Sequence, residues 1–117
     1  MPFDPDVAED KFAYLTTTGR RTGQPREIEI WFVLSADGAT VYVMAGEGER
    51  SNWLRNLRDA PAVSVRIGQF TLAGRAEVLE PGEEDETARD RLVRKYRTSH
   101  GDLEGWRRNG LPVAVRV

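Results

Sequence analysis

The sequence contains no cysteine and a single histidine, His100. Without cysteine the chain forms no disulfide bond, no thiolate metal site and no cysteine nucleophile. One histidine cannot build a histidine-rich metal site, so we expect no metal. Because His100 stands beside Gly101 at the end of a predicted helix, we expect it to cap that helix or to lie at the surface. No pairing of a nucleophile with a base is evident, and this leaves little support for a hydrolytic site.

Long apolar runs are also missing. None approaches the roughly 18 residues required to cross a bilayer, and residues 1–6 are polar and acidic and do not resemble a signal peptide. We therefore expect a cytoplasmic protein with no integral membrane segment, in which residues 1–10 form a loose arm. The 117 residues leave room for one domain, which we assign to residues 1–117, and a chain of this length buries roughly two-thirds of its unfolded surface.

Lysine is scarce, because only Lys11 and Lys95 accompany fifteen arginines. Arginine is suited to bidentate contacts with phosphate and carboxylate groups, although a GC-rich genome also enriches it. The net charge of −2 disfavours nucleic acid as a partner, since such partners select a strongly basic surface. We expect Arg55 and Arg58 on a solvated helix face.

Alternating apolar residues and turn residues predict six strands. These strands cover residues 12–17, 26–34, 40–45, 62–67, 70–79 and 111–117. A short helix begins at Ser51 or Asn52, and a longer helix runs over residues 83–99. Mostly consecutive strands with tight turns favour an antiparallel sheet or a small barrel, and the link around Trp106 has no clear predicted shape.

A basic turn over residues 19–23 (GRRTG) joins the first two predicted strands. It is not a Walker loop, because the Gly-Lys-Ser/Thr ending is missing. Two glycines that bracket Arg20 and Arg21 are most often found at a solvated hairpin tip. The sharper hypothesis is that this turn, with Arg26 on the following strand, meets a second loop and binds one phosphate.

That second loop covers residues 46–51 (GEGERS), between a strand and a helix. It superficially resembles a dinucleotide fingerprint, but a doubly wound fold requires several βαβ units and the chain has too few helices. The loop offers backbone amides at a helix N-terminus, the Arg50 side chain and the Ser51 hydroxyl, a combination that suits an anion. The alternative is an ordinary loop with a helix cap.

The aromatic residues allow two interpretations. Trp31 lies beside Glu29 on the polar face of its strand, so it requires a partner, which is a planar ring, a second subunit or the long helix. Trp53 is expected in the core because its short helix must bury something. Three tyrosines are candidate proton donors, although core packing is the favoured role for each. They are Tyr14, Tyr42 and Tyr96.

Four segments, in their order and spacing, resemble the deazaflavin-dependent nitroreductase family, within the flavin and deazaflavin oxidoreductases of split β-barrel fold (pyridoxamine 5′-phosphate oxidase-like). They are residues 15–26 (LTTTGRRTGQPR), 42–45 (YVMA), 52–57 (NWLRNL) and 61–65 (PAVSV). The resemblance covers residues 12–79. It implies a mainly β fold, a six-stranded antiparallel split β-barrel with a short helix after the third strand and a longer helix before the last.

The resemblance also implies a cofactor, coenzyme F-420 (a deazaflavin), with FMN as the alternative. Its phosphate would lie near the basic turn and the short helix, against Arg20, Arg21, Thr22, Arg26, Arg50, Ser51 and Trp53. Its ring would lie along the strands that hold Ile28, Ile30, Trp31, Met44 and Ala45. No side chain is assigned a catalytic role, and a homodimer is expected because split barrels of this class often pair.

The leading functional hypothesis is therefore an oxidoreductase that transfers hydride from reduced deazaflavin to a small hydrophobic acceptor, such as a quinone, a nitroaromatic compound or an enone. In such an enzyme the cofactor carries the chemistry and the protein supplies orientation and water exclusion. One alternative is a non-catalytic protein of the same fold that carries flavin, haem or lipid. A second alternative, a nucleic-acid-binding barrel, is disfavoured by the acidic balance and by the lack of stacked aromatic residues on one strand.

Overall fold

The computed structural model describes residues 2–97 and 103–117. His100 and Gly101, expected at a helix end, lie outside these residues. The described strands are β1 (Ala13–Thr18), β2 (Pro25–Ile30), β3 (Val33–Leu34), β4 (Thr40–Ala45), β5 (Ala62–Ile67), β6 (Phe70–Val78) and β7 (Leu111–Arg116). The described α-helices are α1 (Asn52–Asp59), α2 (Glu83–Tyr96) and α3 (Leu103–Asn109), and 3-10 turns cover Pro5–Glu9 and Gly48–Arg50.

One antiparallel sheet joins the strands in the order β2-β1-β5-β6-β7-β4-β3. The two edge strands, β2 and β3, are consecutive in the chain, and only Trp31 and Phe32 separate them. Three residue steps span at most about 11 Å, so the sheet curls until its two edges approach at this point. The result is a curled half-barrel that is mainly β, and it confirms the predicted fold class.

The strand count is seven in the described chain rather than six, because the strand predicted over residues 26–34 is interrupted. Up to Ile30 the chain pairs with β1, and from Val33 it pairs with β4 instead. The backbone groups released at this change of partner need hydrogen bonds, and Tyr96 of α2 supplies them. Its hydroxyl oxygen accepts from the Phe32 amide at 3.0 Å and lies 3.1 Å from the Phe32 carbonyl oxygen. The same hydroxyl lies 2.7 Å from the carbonyl oxygen of Lys11, which precedes β1.

The alternation of side chains along the strands produces two apolar clusters. The larger cluster takes buried residues from six of the described strands and from α1, and Ile28 and Ile30 of the remaining strand, β2, pack against it. The smaller cluster lies beneath α2 and includes Tyr42 and Met44 of β4. All six residues of β4 are buried, since the first cluster covers one face of this strand and the second covers the other.

The prediction of a loose arm over residues 1–10 is wrong for the described residues 2–10. Phe3 and Val7 are 3% and 6% exposed and belong to the larger core cluster. The Phe3 amide donates to the carbonyl of Gly38 at 2.9 Å. Asp4 caps the 3-10 turn that follows, because its carboxylate accepts from the Asp6 amide. Two apolar residues in a polar stretch gave too weak a sequence signal to predict this packing.

Helix α3 was also missed in the sequence. Its seven residues form a short helix without a clear apolar stripe, and Trp106 holds it in place by an edge contact with Trp31. A Cβ atom at Gly46 would lie 3.3 Å from Trp106 Cδ1, so α3 also supports the loop that follows β4. None of the helices in the described part of the chain is long and apolar enough to cross a membrane.

Candidate functional site

A cavity of about 850 Å³ opens where the turn between β1 and β2 faces the N-terminal half of α1. Seven residues proposed from the sequence line it: Arg20, Arg21, Thr22, Arg26, Ile28, Ser51 and Trp53. Six further residues complete the lining: Gly19, Gly46, Glu47, Asn52, Arg55 and Asn56. The two loops singled out in the sequence therefore meet at one site, although 36 residues separate Arg20 from Asn56.

The basic turn is closed by hydrogen bonds among residues 19–24. The Gly19 amide donates to the carbonyl of Gln24, and the Gly23 amide donates to the carbonyl of Gly19, both at 2.8 Å. Gly23 has φ of 72°, a conformation that favours glycine. The Thr22 hydroxyl accepts from the Gln24 amide. These bonds close the turn on itself, so the arginine side chains at its tip are free to face α1.

Asn56 joins the turn to α1. Its side-chain oxygen accepts from the Arg20 amide at 3.2 Å and from the Arg20 guanidinium at 2.9 Å. Its side-chain nitrogen donates to the hydroxyl of Thr17 at 3.4 Å, and both Asn56 and Thr17 are buried. The Arg20 guanidinium also contacts Asn52, through the backbone and side-chain oxygens. One arginine is thereby fixed at the wall of the cavity.

The N-terminus of α1 forms the opposite wall. Ser51 is the N-cap residue, but its side chain makes no capping hydrogen bond. It is 8% exposed and lines the cavity, so the hydroxyl remains available to a ligand. The amides of the first helical turn and the positive end of the helix dipole also favour an anion at this wall.

The lining is strongly positive, with four arginines and one carboxylate, Glu47. A second nearby carboxylate is turned away, since Glu49 forms an ion pair with Arg58 at 2.7 Å. The Arg55 Nε atom donates to the Glu49 carbonyl at 2.8 Å, which fastens the 3-10 turn to α1. Residues 2–97 and 103–117 contain no group of three or more acidic or histidine side chains arranged to bind a metal ion.

Five residues proposed for the cofactor do not line the cavity. Trp31 stacks on Tyr96, with ring centroids 4.2 Å apart and an interplanar angle of 1°, so of the three partners considered it contacts the long helix. Met44 is buried in the cluster beneath α2, and Ala45 is buried in the larger core. Ile30 packs against that core, and Arg50 is exposed on the 3-10 turn.

The candidate tyrosines have structural partners outside the cavity. The Tyr14 hydroxyl donates to Glu29, and the Tyr42 hydroxyl donates to Glu84, each at 2.7 Å. Burial raises the pKa of Tyr42 and raises the pKa of Tyr96 to about 12. Neither group is therefore a ready proton donor near neutral pH. Core packing, the favoured role, holds for Tyr42 and Tyr96 but not for Tyr14, which lies outside both core clusters.

Sequence reasoning missed three polar residues of α1 at the cavity, Asn52, Arg55 and Asn56. A signal was present, because positions 52, 55 and 56 fall on one face of a helix, opposite the buried Leu54 and Leu57. Arg55 and Arg58 are exposed, as expected, and the structure adds that Arg55 lines the cavity.

Comparison with known proteins adds independent information. A model of the F-420H(2)-dependent quinone reductase family matches residues 7–117. The chain belongs to this family. The resemblance to split-barrel deazaflavin enzymes inferred from the sequence is thereby confirmed. Glu47, Arg55 and the arginines of the turn all fall within the matched region.

Curated relatives carry the same family name, and two solved structures show a shared fold alone. An F-420H(2)-dependent quinone reductase of Mycobacterium tuberculosis is 29% identical over 72 residues, which cover 61% of this chain and 48% of the relative. The chain thus spans about half the length of the curated relatives it matches. The solved structure of the F-420-H2-dependent reductase FDR-A has a TM-score of 0.72 at 24% identity and covers 92% of this chain and 95% of its own. HutZ, a haem storage protein of Vibrio cholerae, has a TM-score of 0.69 at 16% identity and covers 99% of this chain and 90% of its own, which shows a shared fold alone.

Proposed function

We propose that this protein transfers hydride from reduced coenzyme F-420 to a small hydrophobic acceptor, and that the acceptor is a quinone. The observation that carries the proposal is the cavity in which the arginine turn and the N-terminus of α1 face each other. Membership in the F-420H(2)-dependent quinone reductase family supports the choice of cofactor and acceptor. Nitroaromatic compounds and enones are further acceptors of similar size and polarity.

The lining fits a cofactor that is anionic at one end and planar at the other. The guanidinium groups of Arg21 and Arg26 have no hydrogen bond or ion pair with any other described residue, so they are available to phosphate. The Ser51 hydroxyl and the first amides of α1 add donors on the opposite wall. Trp53 and Ile28 provide apolar surface for a flat ring.

Bound F-420 supplies the two-electron hydride chemistry that no protein side chain provides. The residues of this chain bind and orient it. Arg20, held by Asn56, and the free Arg21 and Arg26 neutralise its anionic groups, while Trp53 and Ile28 exclude water from the apolar part of the cavity. Fixed orientation of donor and acceptor accounts for a large part of the rate in such reactions.

The test is a titration of purified protein with F-420 and, separately, with FMN, followed by calorimetry. We expect micromolar affinity for F-420 and weaker binding of FMN. Protein loaded with chemically reduced F-420 is then mixed with menadione under anaerobic conditions, and oxidation of the reduced F-420 is followed by absorbance. Binding of neither cofactor would refute the proposal, and binding without turnover across quinone, nitroaromatic and enone acceptors would favour the carrier alternative.

We also propose a homodimer, as is common among split barrels. The exposed tryptophan expected from the sequence does not argue for a dimer, because the Trp31 side chain contacts Tyr96 and Trp106 of the same chain. Sedimentation equilibrium of the full chain, with and without F-420, measures the oligomeric state, and a monomer at all concentrations would exclude the pair.

A further inference from the structure

The contact between Asn56 and Arg20 differs from the other polar contacts at the cavity. A single buried oxygen, Asn56 Oδ1, accepts both from the backbone amide of Arg20 and from its guanidinium. Asn56 therefore holds both the backbone of Arg20, at the start of the turn, and the guanidinium group of Arg20. A residue that only joined two elements would need one of these bonds.

The orientation of Asn56 is itself determined by a third group. Its amide nitrogen donates to Thr17 Oγ1, which is 1% exposed. The two ends of the side-chain amide are thus distinguished, with the nitrogen toward β1 and the oxygen toward Arg20. Burial on both sides leaves this side chain little rotational freedom.

The guanidinium of Arg20 keeps donors for a ligand. It has five N–H groups, and the contacts to Asn52 and Asn56 occupy three of them. The remaining two N–H groups are free to contact a ligand. Because the side chain is already ordered in the free protein, binding through them costs little further conformational entropy. Prior ordering of this kind increases affinity without adding a contact.

We propose that Asn56 is a positioning residue, which holds the Arg20 guanidinium in place for an anionic group of the cofactor. Asn56 acts through Arg20 and does not itself carry charge. This inference rests on the proposed binding of F-420 at the cavity. It assigns to α1 a role in anion affinity that is separate from its packing on the barrel.

The experiment is a double-mutant cycle of Asn56→Ala and Arg20→Ala, with the dissociation constant measured for F-420 and for inorganic pyrophosphate. Asn56→Ala should weaken binding of each probe roughly tenfold, because a charge-assisted contact loses its fixed donor. In the Arg20→Ala background the same change should have less than about a twofold effect, since the residue it positions is gone. Asn109→Ala, on the exposed end of α3, is the matched control and should leave both affinities unchanged.

A second measurement separates positioning from stability. Hydrogen exchange of the Arg20 amide should be slow in the wild type and in Asn56→Asp, which keeps an acceptor oxygen, and fast in Asn56→Ala. Asn56→Asp should nevertheless weaken anion binding, because its carboxylate offsets the charge of Arg20.

The outcomes distinguish this inference from the proposed function. Binding of F-420 with equal effects of Asn56→Ala in both backgrounds would overturn the inference and leave the function standing. Coupling measured with pyrophosphate, without any binding of F-420, would support Asn56 as a positioning residue for an anion, but it would refute F-420 as the ligand and with it the proposed function. Binding of neither anion by the wild type would overturn both.

Discussion

The guanidinium of Arg20 and the side-chain oxygen of Asn56 lie 2.9 Å apart, although 36 residues separate them in the chain. This contact closes one side of the cavity and places a turn between two strands against a helix that follows the fourth strand. It brings the basic turn against α1, so that both line one cavity that contains four arginines. The following predictions test the consequences of that arrangement and of the packing that supports it.

Replacement of Arg26 by glutamine should weaken F-420 binding roughly tenfold, because a hydrogen bond to a charged group contributes about 1.5–3 kcal/mol. Arg26 lines the cavity and has no competing partner among the described residues. Calorimetric titration measures the change. Arg94→Gln is the control, since Arg94 is exposed on α2, and equal losses in the two variants would indicate a general charge effect instead of a site.

Replacement of Ser51 by alanine should weaken F-420 binding several-fold with little loss of stability. An N-cap serine normally contributes about 1 kcal/mol, but the Ser51 side chain makes no capping bond. Chemical denaturation and titration measure the two effects. Asp4→Ala provides the contrast, because the Asp4 carboxylate does accept a capping bond from the Asp6 amide. A large loss of stability in Ser51→Ala would contradict the interpretation.

The stabilisation by Glu84 should disappear in acid. The bidentate contact with Arg116 and the Tyr42 hydroxyl lower the pKa of Glu84 to about 2. Because this value lies below that of an unfolded glutamate, about 4.3, the stabilisation is complete above that pH and is lost as the pH falls toward 2.

Urea denaturation of the wild type and of Glu84→Gln measures this loss. The difference in free energy of unfolding should be largest near about pH 6 and should shrink steadily toward about pH 3. Glu83→Gln, in the same first turn of α2, controls for the helix dipole. A difference that does not change with pH would refute the role given to the Arg116 contact.

Removal of the Tyr96 hydroxyl should destabilise the junction between β2 and β3. In Tyr96→Phe the Phe32 amide loses its acceptor in a buried place, which costs about 1–3 kcal/mol. Exchange of the Phe32 amide should accelerate in the same variant. Tyr14→Phe is the control and should change the free energy of unfolding far less, because the Tyr14 hydroxyl contacts an exposed carboxylate. Unchanged protection of Phe32 would contradict the prediction.

The local sequence pattern was sufficient to predict strands where apolar and polar side chains alternate over several residues. The strands at residues 40–45 and 62–67 have the predicted bounds, because period-two apolar alternation and flanking turns define a strand locally. Phe32 and Leu34 are both buried in the larger core cluster, so they share one face even though the strand is interrupted. The positions of the two glycine-bracketed loops were also evident, since each follows a strand.

The sequence pattern could not predict contacts between residues that are distant in the chain. Trp31 has three conceivable partners in the sequence, and only the packing of α2 identifies Tyr96 as the one it stacks on. The interruption after Ile30 has no local cause either, because it arises where the sheet curls and the chain changes from one edge to the other.

The amino-acid sequence by itself determined the class of fold, the family and the basic turn with Arg26, which together supply three of the four cavity arginines, because each of these depends on short-range pattern and composition. The tertiary structure alone decided which of those residues share a cavity, that Asn56 holds Arg20 there, and that Trp31 and Met44 belong to the packing beneath α2. These facts depend on how the sheet curls and where α1 docks against it. Both are set by the simultaneous packing of all strands around one core, which no short stretch of sequence encodes.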